Sequence, residues 1–293
     1  MNYKRYFKEQ NIDFSGKTVA ISGATGAIGR ATALFVAQNG GDLILLDRNA
    51  QKSQLLREEI FKQSPCQHTQ TLQTDFSSLE SVKASAEKLK DINFDTLILN
   101  AGVFNIPRSK GELGFEQVFE INFLMPFLFV STLLPVLKAN NCKVVITGSL
   151  AYKRARFNEF DIDYSSEKNK IKVYGNSKRF LMFALPKLFD RENIEYSICH
   201  PGIVQTSLTT HYHKSINWLV KGLMKVIFHS PKKASLTSIY ACLAIAQKGH
   251  WVSPRHFNIW EKPKIKQFAF IDEEASQMLD WAENFLKQNK NTI

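Results

Sequence analysis

The run Tyr174-Gly175-Asn176-Ser177-Lys178 spaces a phenol and an ammonium four residues apart. On a helix that spacing stacks the two side chains on one face. An ammonium beside a phenol favours the phenolate, so the pairing predicts a Tyr174 pKa lowered from about 10 toward neutrality. Such a group acts as acid in ketone reduction and as base in alcohol oxidation. Ser149 leaves the apolar run 143–147 on what would be the same side and can donate to a substrate oxygen as charge builds there. Asn122 is the conspicuous polar residue of the apolar stretch 115–137, and a buried amide needs partners. It is a candidate to anchor a helix distortion, or a water relaying a proton from Lys178. Taken singly these features are commonplace, since a serine after a strand is often a cap. Their weight comes from what surrounds them.

The element that must position them is Thr18 to Gly29, TVAISGATGAIG. Val19, Ala20 and Ile21 read as a strand buried on both faces, and the helical run from Ile28 ends at Asn39-Gly40-Gly41. Between them, Ser22, Gly23, Thr25, Gly26, Ala27, Ile28 and Gly29 form a tight turn at which a backbone can approach a ligand. Free N–H groups at the start of the following helix would face pyrophosphate there. The next strand delivers Asp47 eighteen residues after Gly29, where a dinucleotide fold needs a carboxylate for a ribose, and Arg48 follows it. Asp75 and Phe76 leave a third strand, where the carboxylate either holds an adenine edge or caps a helix. Asn100, Ala101 and Gly102 follow a fourth strand, and small residues there leave room for a flat ring and ribose.

Strand and helix patterns alternate to the end. Helices are expected at 50–63, 81–89, 174–189, 230–245 and 272–287, with strands at 96–99, 143–147, 195–199 and 251–260. The stretch 151–172 reads as a polar excursion over the active face. No internal repeat or flexible linker interrupts the pattern, which predicts a three-layer, doubly wound α/β Rossmann fold. Its sheet should be mostly or wholly parallel, with about seven strands, in one domain spanning 1–293. Residues 203–230 mix apolar and basic side chains and suit a substrate-covering segment, or an interfacial membrane helix at 215–228.

The 293 residues carry a formal charge of +11, with 44% hydrophobic and 22% charged residues. The basic residues are dispersed and read first as a solvated surface, and second as one that attracts an anionic cofactor or substrate. No aromatic-basic repeat or zinc-finger spacing accompanies them, so no nucleic-acid partner is expected. No Ala-X-Ala-like cleavage site or apolar run of eighteen residues is seen, so a membrane-spanning segment is not expected. Cys66, Cys142, Cys199 and Cys242 show no paired spacing, which points to a reducing, cytoplasmic setting without metal or disulfides.

Over residues 14–260 the chain resembles the short-chain dehydrogenase/reductase family. The resemblance is carried by the turn 22–29, Asn100-Ala101-Gly102, Asn122, Ser149, Tyr174 with Lys178, and the segment from Pro201 and Gly202 through Val204 to Thr206, in that order. It implies an NAD(P)-dependent oxidoreductase acting on an alcohol or carbonyl, with Asn122, Ser149, Tyr174 and Lys178 catalytic. Tyr174 and Lys178 would also contact the cofactor, and Thr206 would bond the nicotinamide carboxamide. Ala27 departs from the family's usual glycine. Ser149 and Tyr174 are separated by 25 positions, longer than the common spacing and similar to the branch of retinol dehydrogenases, WW-domain oxidoreductases and protochlorophyllide reductases. That branch implies a larger apolar substrate. Asp47 favours NAD, because a 2′-phosphate there would meet a like charge, while Arg48 leaves NADP admissible. The resemblance also implies a homodimer or homotetramer joined through the helices after Glu116 and Tyr174. The rival reading is a non-catalytic dinucleotide-binding regulator or scaffold.

Overall fold

A computed structural model describes residues 12–64, 67–202, 230–243, 246–254 and 263–289. Eight strands form one sheet: β1 Thr18–Ser22, β2 Asp42–Asp47, β3 Thr69–Gln73, β4 Thr96–Leu99, β5 Lys143–Thr147, β6 Glu195–Cys199, β7 His250–Ser253 and β8 Lys264–Gln267. Their order is β3-β2-β1-β4-β5-β6-β7-β8, parallel through β7. The eighth strand pairs antiparallel with β7, Val252 opposite Ile265. The sequence predicts about seven strands because 264–267, KIKQ, alternates too few apolar residues to announce a strand. The predicted last strand shortens to His250–Ser253, and residues 255–262 lie outside the described residues.

Helices α1 Ala27–Gln38, α2 Ala50–Gln63 and α6 Pro231–Cys242 cover one face of the sheet. On the other lie α3 Leu79–Lys90, α4 Gln117–Ala139, α5 Lys170–Glu192 and α7 Asp272–Gln288. Both faces being covered explains why the central strands read as continuous apolar runs rather than alternating ones. Val19 and Ile21 pack toward the first layer, Ala20 toward the second. Phe119, Phe123, Phe127, Phe129, Phe180, Phe183 and Phe189 are fully buried in the second layer. Each contributes about 1.5–3 kcal/mol of burial. The chain order turns back at β1, with β2 on one side and β4 on the other, so a crevice opens at their carboxyl ends.

Helix α4 is long and apolar enough to cross a membrane, but 72% of its most apolar window is buried inside the protein. Its first turns depart from α geometry: Glu120–Leu124 is π-helical, and Asn122 sits in the middle of that bulge. Helix α7 packs against α5, setting Trp281 at 5.8 Å from Phe119 and 5.7 Å from Phe180, and Phe285 at 5.1 Å from Phe115. Parts of the apolar faces after Glu116 and Tyr174, where the resemblance implies self-association, are thus covered by the chain's own last helix.

Candidate functional site

A groove of about 430 Å³ runs across the carboxyl ends of β1, β2 and β4. Its floor is the β1–α1 turn. Gly23 has φ +64, in the left-handed region, and a Cβ there would stand 3.0 Å from the Ala101 Cα. At Gly29 a Cβ would lie 2.3 Å from the Gly23 carbonyl oxygen and 2.9 Å from the Ala24 Cα, so helix and turn touch through bare backbone. Gly26 is the N-cap of α1, and no side chain caps the helix start. Thr25, Ala27 and Ile28 line the groove beside these open N–H groups. Ala27 is the first helical residue, a conformation alanine takes without strain, so the departure from glycine leaves the turn intact.

Ser22 does not reach the groove. Its buried hydroxyl accepts from the backbone N–H of Asn100 at 2.9 Å and of Ala101 at 3.0 Å, and donates to the Ile98 carbonyl at 3.2 Å. The Asn100 amide donates to the Ser22 and Gly23 carbonyls at 3.0 and 3.1 Å. Ser22 and Asn100 therefore stitch β1 to β4 and hold the turn in shape. Asn100, Ala101, Gly102 and Val103 form one wall of the groove, with Ile121.

At the far end Asp47 is 3% exposed. Its Oδ1 accepts from the Thr25 N–H and hydroxyl, both at 3.0 Å, while the buried Oδ2 has no partner. Burial raises its pKa, against the hydrogen bonds from Thr25 and Ser53. An orphaned carboxylate oxygen beside a glycine cradle and an uncapped helix start matches a ribose diol followed by a pyrophosphate. These residues fit a dinucleotide. Arg48 and Lys52 line the same end, both exposed. Asp75 also lines the groove, with Oδ1 accepting from the Ser77 N–H and hydroxyl at 2.9 and 2.7 Å. The cap of α3 is Ser78. Phe76 turns its ring into the core, edge-on to Phe129 at 5.6 Å, which leaves mainly its backbone to a ligand.

Behind Gly102, on which a Cβ would stand 3.5 Å from the Lys178 Nζ, Ser149, Tyr174 and Lys178 come together. The Ser149 hydroxyl is near enough to the Tyr174 phenol to favour its ionised form, and the Lys178 ammonium stands 5.9 Å from the centre of the Tyr174 ring. Lys178 donates to the Thr147 carbonyl at 3.0 Å. The predicted lowering of the Tyr174 pKa is not what this arrangement produces. Burial raises it, and the Ser149 hydroxyl opposes that rise without cancelling it. The ammonium meant to lower it is itself buried, its pKa depressed to about 8, and it spends a hydrogen bond on a backbone carbonyl. Desolvation outweighs the neighbouring charge.

Asn122 is fully buried and committed. Its Oδ1 accepts from the Val103 N–H at 2.7 Å, and its Nδ2 donates to the Val103 carbonyl at 2.9 Å and to Ser177 Oγ at 3.0 Å. The side chain anchors the loop after β4 to α5, and a Cβ on Gly102 would stand 3.0 Å from the Asn122 Oδ1 and 3.5 Å from the Lys178 Nζ. Phe104, which the sequence does not single out, lies edge-on to Tyr174 at 5.1 Å. Lys52 and Phe104 carry no motif signal beyond their closeness in sequence to Asp47 and to Gly102. Pro201 and Gly202 follow β6, Gly202 with φ +79. Val204, Thr206 and the segments 203–229 and 215–228 lie outside the described residues. Among the described residues no group of three or more His, Cys, Asp and Glu side chains could hold a metal.

The short chain dehydrogenase family model matches residues 17–217. Retinol dehydrogenase 14 of Homo sapiens is 31% identical over 291 residues, covering 92% of this chain and 85% of its own. Among solved structures, an uncharacterized protein from Mycobacterium paratuberculosis has a TM-score of 0.72 at 21% identity, covering 94% of this chain and 95% of its own. L-sorbose reductase from Gluconobacter frateurii, complexed with NADPH and L-sorbose, has a TM-score of 0.63 at 18% identity, covering 80% of this chain and 92% of its own.

Proposed function

The chain belongs to the short-chain dehydrogenase family, in its retinol dehydrogenase branch, and on that premise we propose that Tyr174 is the acid/base of hydride transfer to and from an apolar alcohol or carbonyl. Membership makes the chain an NAD(P)-dependent oxidoreductase acting on CH–OH groups. When bound, the nicotinamide supplies or accepts the hydride. Every other step falls to side chains. In reduction, the Tyr174 phenol gives its proton to the substrate oxygen, and a phenol held above its ordinary pKa is in the protonated state that this needs. In oxidation the phenolate takes the proton back.

Ser149 donates toward the same oxygen as charge develops on it. The Lys178 ammonium, 5.9 Å from the centre of the Tyr174 ring, favours the phenolate at the moment Tyr174 loses its proton. Asn122 positions α4 and the loop after β4 rather than touching substrate. The observation that carries this reading is the convergence of Ser149, Tyr174 and Lys178 beside Gly102, on the wall of a groove that also presents Asp47 Oδ2. Apolarity of the substrate is supported by the Phe104 ring against Tyr174, and by the alcohol named for the human relative, retinol. For the cofactor, the unpaired Asp47 oxygen favours NAD, and the exposed Arg48 and Lys52 leave NADP admissible.

Turnover of retinol and retinal, farnesol and farnesal, and cyclohexanol and cyclohexanone, each with NAD(H) and NADP(H), tests the reading. Turnover favouring the long apolar pairs is expected. NADH binding with no turnover of any of the six would leave only a dinucleotide-binding role.

A further inference from the structure

Arg179 follows Lys178 on α5 and is 2% exposed. A guanidinium cannot shed its charge, so at that depth it needs a partner. The partner comes from α7: Arg179 Nε donates to Glu274 Oε1 at 2.5 Å, and Nη2 donates to Glu274 Oε2, a two-pronged pair whose geometry is specific. The guanidinium Cζ lies 4.3 Å from the centre of the Phe183 ring. Two further bonds reach the other side of the site. Arg179 Nη1 donates to the Tyr152 carbonyl at 3.3 Å, and Glu274 Oε1 accepts from the Phe157 N–H at 2.9 Å.

Tyr152 belongs to the 3₁₀ turn Leu150–Arg154, which Ser149 caps with a bond from the Ala151 N–H at 3.2 Å. This turn lies on one stripe of α5, at Gly175, Arg179 and Met182, spaced i, i+4, i+7. A Cβ on Gly175 would stand 2.4 Å from the Ala151 carbonyl oxygen, and the Ser149 N–H faces Met182 Sδ at 3.5 Å. Tyr174 and Lys178 occupy the adjacent stripe. The distance between the Ser149 hydroxyl and the Tyr174 phenol is therefore set by how the turn seats on α5. Of these three points on α5, Arg179 is the one whose side chain is held by an ion pair to another helix.

We propose that Arg179 and Glu274 are positioning residues that hold the Ser149 turn in register with Tyr174, making the C-terminal helix part of the active-site scaffold. The proposal rests on the reading of Ser149 and Tyr174 as the proton-transfer pair. Loosening the pair lets the Ser149 hydroxyl, which favours the phenolate, draw away from Tyr174. The phenol then loses its proton at higher pH, and alcohol oxidation, which needs the phenolate, requires a more alkaline solution.

The test is the pH profile of kcat for oxidation of the best alcohol in the panel above, in wild type, Glu274→Ala, Glu274→Gln and Tyr174→Phe. NADH affinity by fluorescence and thermal melting are recorded beside it. Expected in Glu274→Ala are a tenfold or greater fall in kcat, an alkaline shift of the rising limb, and NADH affinity within twofold of wild type. Glu274→Gln, which keeps an acceptor, should recover part of both. Should Glu274→Ala not fold, Arg179→Lys, which keeps the charge and loses the fork, carries the same expectation. A folded variant with lowered melting temperature but an unmoved pH profile overturns the proposal and leaves the pair merely structural. If Tyr174→Phe turns over like wild type, the reading of Tyr174 fails and the proposal with it. If Tyr174→Phe is inactive while Glu274→Ala keeps the wild-type profile, only the positioning role fails.

Discussion

Thr25 and Asp47 are joined twice, the backbone N–H and the hydroxyl of one both donating at 3.0 Å to a single carboxylate oxygen of the other. The glycine turn is thereby tied to the end of β2, and Asp47 Oδ2 is left buried without a partner. Replacing Asp47 with Ala removes both the tie and the oxygen that would accept from a ribose hydroxyl. Affinity for NADH should fall about tenfold or more, by one to two lost hydrogen bonds to a charged group, while NADPH, its phosphate facing Arg48 and Lys52, loses less. Dissociation constants for the two nucleotides check this. An unchanged ratio would remove Asp47 from cofactor choice.

The approach of α1 to the turn at Gly29 leaves no room for a methyl group, since a Cβ would meet the Gly23 carbonyl oxygen at 2.3 Å and that oxygen is backbone. Gly29→Ala should cost about 1–3 kcal/mol of stability and weaken nucleotide binding. Gly26→Ala, whose nearest atom would be at 3.1 Å, should be milder. Urea unfolding of the two variants separates them, and equal stability for both would contradict the packing described.

Much of this was legible in the sequence. The β1–α1 turn, Asn100 to Gly102, Ser149, and Tyr174 with Lys178 carry local signals, because each needs a particular residue type at a strand exit or on one helix face. What was not legible depends on depth and distance. The direction of the Tyr174 pKa shift turns on how deeply the phenol itself is buried, which no spacing in the sequence announces. Ser22 reads as part of a binding turn, yet its hydroxyl is taken by residues 98–101. Strand β8 and the Arg179–Glu274 pair exist only once residues 264–288 have folded back on the sheet and on α5.

The depressed pKa of Lys178 links stability to pH. Between about 8, its native value, and the ordinary 10.5, the unfolded chain holds a proton that the native protein has released. The unfolded state then binds more protons, so stability rises with pH across that window. The burial penalty applies in full below it. The gain is on the order of 3 kcal/mol. Lys178→Met lacks the titrating group, so the difference in melting temperature between wild type and variant should change between pH 7.5 and 10. A constant difference would contradict the burial of a charged Lys178.

Trp281 rests against Phe119 and Phe180. Trp281→Ala should cost about 3 kcal/mol, and expose an apolar face on α4 and α5. Sedimentation should then show more self-association than in wild type. A variant with unchanged stability and mass would contradict the covering role of α7.

The central claim is that Tyr174 moves the proton while the groove holds the dinucleotide. The most direct measurement is kcat together with the NADH dissociation constant for Tyr174→Phe, which removes one oxygen and leaves the ring against Phe104. The account predicts a fall in kcat of about 10²-fold or more with NADH affinity within twofold of wild type. Turnover equal to wild type would contradict it.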